Sequence, residues 1–162
     1  MNPLEIFANF EKNQAYLDWK VNNSSSFLAH FFAQIGPNLE LKSTWDVGFY
    51  CPEDDKIYIF NEDFELKNSD EVFKKPGEEV EELKIDEVKI DLSKAKQWFK
   101  ENSQEKFPNE MFGDGFLILQ KYQGNLVWNF TLVTKTVKFA NMKIDAKTGN
   151  IVDVQLITMI DK

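Results

Sequence analysis

Residues 144–151, Ile144-Asp145-Ala146-Lys147-Thr148-Gly149-Asn150-Ile151, decide the fold. An Asp side chain can cap the turn that follows it. A Gly four residues later can take the left-handed conformation that closes a hairpin with a bulge. On either side the chain alternates. Ala140, Met142 and Ile144 share one face of the strand before the turn, and Val152, Val154, Leu156 and Ile160 share one face of the strand after it.

Moving outward, Gln123-Gly124-Asn125 is a second tight turn. It is preceded by the nearly continuous apolar run Phe116 to Tyr122. It is followed by a strand with Leu126, Trp128, Phe130 and Leu132 on one face and Asn129 and Thr131 on the other. Upstream, Asp91 and Ser93 are candidate N-caps for a helix in which Ala95, Trp98 and Phe99 share a face, bounded by Phe107 and Pro108. One helix followed by four antiparallel strands predicts a sheet with one covered and one open face. Val137, Phe139, Ile157 and Met159 fall on the face opposite the core stripe, with the N-terminal helices expected to cover it.

At these residues the chain resembles a PepSY domain over residues 85–160: a short strand, a helix with a small residue early in it (Ala95), Trp128 opening a strand, and the Asp-Ala-x-Thr-Gly turn. The resemblance implies an α+β, cystatin-like fold with helices packed on antiparallel sheets. It also implies a non-catalytic binding or protease-regulating, inhibitory module. In the first half, Trp45 and then Ile57 to Phe60 echo Trp128 and then Met142 to Asp145, with Asn61 to Phe64 in place of the turn and no Gly there. Two tandem PepSY-like units are the corresponding expectation.

The first half reads as follows. Asn2 and Pro3 start a helix to about residue 20, with Leu4, Phe7, Phe10, Leu17 and Val21 as its apolar stripe. Ser24 to Ser26 offer a cap for a second helix carrying Phe27, Leu28, Phe31, Phe32 and Ile35, stopped by Gly36-Pro37. Trp45 to Cys51 alternate as a strand, Pro52 to Asp55 turn, and Ile57 to Phe60 return. The predicted organisation is an N-terminal helical and β-hairpin unit at 1–65, a charged linker at 66–82, and a helix with a four-stranded sheet at 83–162. In that last unit, Leu83 to Ile90 are read as a short edge strand.

Charge and composition exclude several functions. With 43% hydrophobic residues a core forms, and fifteen Phe and four Trp supply large buried area per residue. A net charge of −8 repels nucleic acid and anionic membrane surfaces. All nineteen basic residues are Lys, so the bidentate guanidinium fork is absent. There is one Cys, Cys51, and one His, His30. They are expected to be structural, and together they cannot build a zinc site. The adjacent acidic pairs Asp54-Asp55 and Glu62-Asp63 lack an EF-hand pattern. Gly113-Asp114-Gly115 is read as a short loop and not as a phosphate cradle.

No catalytic, cofactor-binding or metal-ligating residue is therefore assigned, and the chain is expected not to be an enzyme. No apolar stretch approaches the length of a membrane span. The N-terminus carries Glu5 and Glu11 and no basic segment, so the chain reads as cytoplasmic, or extracellular had a leader been removed. The expected partner is a protein, a protease or another, with the chain itself a monomer or homodimer. Two other readings stand beside it: a structural or assembly subunit using an apolar sheet face, and a small-ligand-binding cystatin-like fold.

Overall fold

A computed structural model describes residues 2–71 and 79–158. The element order is α1 (Pro3–Phe10), α2 (Gln14–Asn22), β1 (Phe27–Ile35), β2 (Asp46–Cys51), β3 (Lys56–Phe60), β4 (Leu66–Glu71), α3 (Leu92–Lys106), β5 (Phe112–Tyr122), β6 (Asn125–Thr134), β7 (Lys138–Asp145) and β8 (Ile151–Thr158). The class is α+β. The strands form one eight-stranded antiparallel sheet in the order β4-β3-β2-β1-β5-β6-β7-β8. Each half of the chain contributes a meander of four consecutive strands. The halves meet where the first strand of one pairs with the first of the other, Phe31 opposite Leu119 and Ala33 opposite Leu117.

The four C-terminal strands and α3 lie where the alternation puts them. Asp91 caps α3, its Oδ1 accepting from the Lys94 N–H at 2.8 Å. Ala95 and Phe99 are its buried residues, and the Phe99 ring lies 5.2 Å from that of Phe130 on β6. Leu126, Trp128, Phe130 and Leu132 are all buried under that helix face.

The first half departs from expectation. Residues 27–35 form β1, not a helix. Burial alternates along the strand from Phe31 to Ile35, but Phe27 and Phe32 put apolar residues on the open face too, so the run of Phe, Leu, Ala and Ile loses its period of two and fits a helix as well. A bulge between Leu28 and His30 adds to the ambiguity, leaving the successive residues Leu28 and Ala29 both buried. The N-terminal helix is two helices. The first ends at Phe10 with Glu11 as its cap, and Asn13 caps the second, its Oδ1 accepting from the Tyr16 N–H at 3.0 Å. The break turns Leu17 and Val21 outward, 37% and 77% exposed, and turns Tyr16 inward.

The linker placed at 66–82 begins with β4, a polar edge strand whose composition hid it. Residues 72–78 lie outside the described residues, and 79–82 form neither helix nor strand. Leu83 to Ile90 form no strand but hold a short 3-10 turn at Ile85–Glu87. Gly113-Asp114-Gly115 is an irregularity inside β5, where a Cβ on Gly115 would stand 1.9 Å from the Thr131 carbonyl oxygen. Met159 and Ile160 lie outside the described residues.

The three described α-helices pack on one side of the sheet. Phe49, against the rings of Phe10 and Tyr16, shares its face with Val47; Val47 pairs with Phe31, Phe31 with Leu119, and Leu119 with Trp128. The same face therefore carries both helical layers, and the N-terminal helices do not cover the opposite one. A single cluster of buried side chains runs from Ile6 and Phe10 to Ala146.

Candidate binding surface

Because every described helix lies on one side, the other face of the sheet has no described element over it. Its centre is aromatic. Phe32 on β1 and Phe116 on β5 stack with ring centroids 5.7 Å apart and planes 25° apart. Both are half-buried, as are Ile118, Val133 and Phe139, which alternation places on the same face.

Beside this patch, β6, β7 and β8 carry a polar ladder. The Asn141 Nδ2 donates to Asn129 Oδ1 at 2.6 Å and to Thr131 Oγ1 at 2.8 Å. The Lys143 ammonium donates to Asn141 Oδ1 at 2.7 Å and pairs with Asp153 at 3.2 Å. Its charge also sits 4.7 Å from the centre of the Tyr122 ring. Lys143 is only 7% exposed, so each of these contacts offsets the cost of taking its charge out of water. Asn129 and Thr131, expected on the open face, are there. At 8% exposure each is roofed by its neighbours in the ladder and not presented to solvent. The ladder itself was missed. Its signal is polar residues at every second position of adjacent apolar strands, which becomes readable only once the register is known.

His30 lies on the same face, at the seam between the two meanders. It stands over Gly48, where a Cβ would come within 2.2 Å of the imidazole. Burial pulls its pKa down to about 4, against a smaller opposing pull from Asp46. It is neutral at pH 7. Cys51 is buried and has its thiol pKa raised by burial. Alternation along β2 sets Cys51 on the helix side and Gly48, with His30, on the other. The two groups that could make a nucleophile–base pair are thus on opposite faces of the sheet.

Three of the four carboxylates in the acidic pairs are committed to hydrogen bonds within the chain. Asp54 accepts from the Tyr58 hydroxyl and Asp55 from the Tyr50 hydroxyl. Glu62 accepts from the Trp45 N–H at 2.9 Å. Among the described residues, no three His, Cys, Asp or Glu side chains converge as a metal site. No described helix is long and apolar enough to cross a membrane. On the helix side, a groove of about 550 Å³ opens between α1, α2 and β1, with Phe7, Tyr16, Leu28 and Phe49 in its wall and Lys20 and Glu82 at its rim.

No family model matches the chain. No curated protein matches it either. Among solved structures, the crystal structure of a putative lipoprotein from Clostridium difficile 630 superposes with a TM-score of 0.51 at 13% identity, over 88% of this chain and 90% of that one. Identity this low shows a likeness of fold alone.

Proposed function

We propose that the chain is a non-catalytic, protein-binding module of the PepSY-like, cystatin-like kind, built from two helix-and-meander units that share a sheet, and that it regulates a protease. The observation that carries this reading is the uncovered sheet face. It presents a stacked aromatic pair beside a rigid, internally satisfied polar ladder. Aromatic anchors held at low entropic cost suit binding to another protein.

The two turns that close the outer hairpins support the tandem arrangement. Asp145 Oδ1 accepts from the Lys147 and Thr148 N–H groups at 2.7 and 3.0 Å, and Gly149 takes φ +84°. In the first half, Asn61 Oδ1 accepts from Asp63 and Glu65 at 2.9 and 3.0 Å, and Phe64 takes φ +64°. The tryptophans give no such support. Trp128 sits within β6 opposite Leu119, whereas Trp45 precedes β2.

The test is a binding and inhibition assay against thermolysin-type metallopeptidases, using the native chain and a Phe32→Lys/Phe116→Lys variant. The native chain should slow peptide cleavage in a saturable manner. The variant, checked as folded by circular dichroism, should need at least tenfold more protein for the same effect. Absence of binding and of inhibition across the panel would reject the protease role.

A further inference from the structure

The two outer edges of the sheet are not alike. Edge strand β4 begins Leu66-Lys67-Asn68-Ser69, with a Lys and two polar residues along an edge that would otherwise recruit another strand. Edge strand β8 reads Ile151-Val152-Asp153-Val154-Gln155-Leu156-Ile157-Thr158. It contains neither Lys nor Pro, the usual protections of such an edge. Leu156 and Ile157, on opposite sides of the strand, are 40% and 50% exposed. On its inner side β8 pairs with β7, and among the described residues nothing pairs with its outer side.

The sequence of β8 is also nearly its own reverse. Read outward from Val154, Asp153 faces Gln155, Val152 faces Leu156 and Ile151 faces Ile157. An antiparallel pair of identical strands obeys this symmetry. A residue at a given distance before the two-fold axis lies opposite the residue at the same distance after it in the other copy.

We propose that β8 is a self-pairing edge, and that two copies of the chain associate antiparallel about a two-fold axis at Val154, extending the sheet from eight strands to sixteen. In this register each Asp153 lies opposite the partner's Gln155 and not opposite another carboxylate. Within one chain the Gln155 amide already donates to Asp153 at 3.1 Å, so the two side chains are chemically matched. The apolar pair Val152–Leu156 flanks this centre on both sides, while the β8 bulge sets Ile151 opposite Ile144 on the core face, away from the open face that carries Ile157. The net charge of −8 on each copy opposes approach, so salt should strengthen the dimer. The first-strand seam between β1 and β5 is the same kind of joint made within one chain. The inference does not depend on the protease reading, because it uses the edge of the sheet and not its open face.

Sedimentation of the full chain from micromolar to near-millimolar concentration tests it. The apparent mass should rise toward twice the monomer value, and more readily in added salt. Leu156→Lys combined with Ile157→Lys should hold the chain monomeric throughout, while Leu66→Lys on the opposite edge should leave the doubling intact. Val154→Cys should become a disulfide-linked dimer on mild oxidation, with the native chain as control for Cys51. A chain that stays monomeric at every concentration overturns the proposal. So does a doubling that survives the two lysines, one that Leu66→Lys abolishes, or a Val154→Cys chain that remains unlinked.

Discussion

Ala146 and Gly149 show how much of this molecule is settled by the absence of side-chain atoms. Ala146 is fully buried. Its carbonyl accepts from the Lys89 and Ile90 N–H groups at 2.9 and 2.8 Å, and its own N–H donates to the Leu126 carbonyl at 2.7 Å. Trp128 closes the same corner, its Nε1 donating to the Ile90 carbonyl at 2.8 Å. Gly149 lies under Trp98, where an added Cβ would stand 1.7 Å from the indole. The turn therefore clips the segment leading into α3 onto the sheet, beyond reversing the chain. Gly149→Ala combines left-handed strain with a clash and should cost about 3 kcal/mol or more. Gly124→Ala has the same sign of φ, +82°, but open space around it, and should cost about 1 kcal/mol. Urea denaturation of the two variants side by side checks this, and equal losses would contradict it. His30 yields a pH prediction. Its folded pKa of about 4 lies below the usual 6.5, so between those values the unfolded chain holds more protons. Stability should fall as pH drops from 6.5 toward 4, by on the order of 3 kcal/mol, and this contribution should level off below 4. Asp46, itself bridged by Lys67 at 2.9 Å, is the charge that opposes the shift. His30→Gln should flatten the pH–stability curve in that window relative to the native chain, and curves that stay parallel would exclude the buried imidazole as the cause.

Among the elements, those that the sequence announces are those with local signals. Helix α3 has a cap, an apolar face and a bounding proline, and all are satisfied as read. Asp91→Ala removes the cap and should cost about 1 kcal/mol in thermal or urea melts, with the far-UV helix signal losing amplitude before the rest unfolds. A cost near zero would show that packing of Ala95 and Phe99 holds the first turn without it. Strands β6 to β8 were legible for the same reason, since one covered and one open face leave a period of two, and β5 was legible as a continuous apolar run ending at a turn. Strand β1 was not. Its neighbour on one side, β5, is distant in sequence, and Phe27 and Phe32 on the open face erase the period in its composition. Strand β4 was hidden by the opposite fault, because a polar edge strand resembles a linker. The candidate surface was legible only in part. Asn129 and Thr131 were placed on the right face, but Phe32 was assigned to a helix. Lys143, Asn141 and Asp153 gave no sign that they meet, because their meeting depends on cross-strand register and not on spacing along the chain.

At the scale of the whole molecule, the buried cluster runs unbroken from Ile6 to Ala146 across the seam between the two meanders. The aromatic group around Phe10, Tyr16, Phe49 and Phe60 grades into the layer under Trp128 and Phe130. Equilibrium unfolding should therefore be a single transition, with tryptophan fluorescence and far-UV circular dichroism changing together. Separate midpoints for the two signals would mean that the halves melt as independent bodies. The seam has one more consequence, and it concerns synthesis. Strand β1 can pair with β2 as soon as the first hairpin emerges, but its other edge must wait for β5, whose pairing residues run from Gly115 to Gln120. At ribosomal speeds of about 5–20 residues per second, Phe27 to Ile35 stand with one apolar edge unpaired for roughly 4–16 s. For that interval the nascent chain offers a strand of mainly Phe, Leu, Ala and Ile to any neighbour on the polysome. The slow step of its biogenesis should be the arrival of its partner strand from the second half, and a holding chaperone would find its target there.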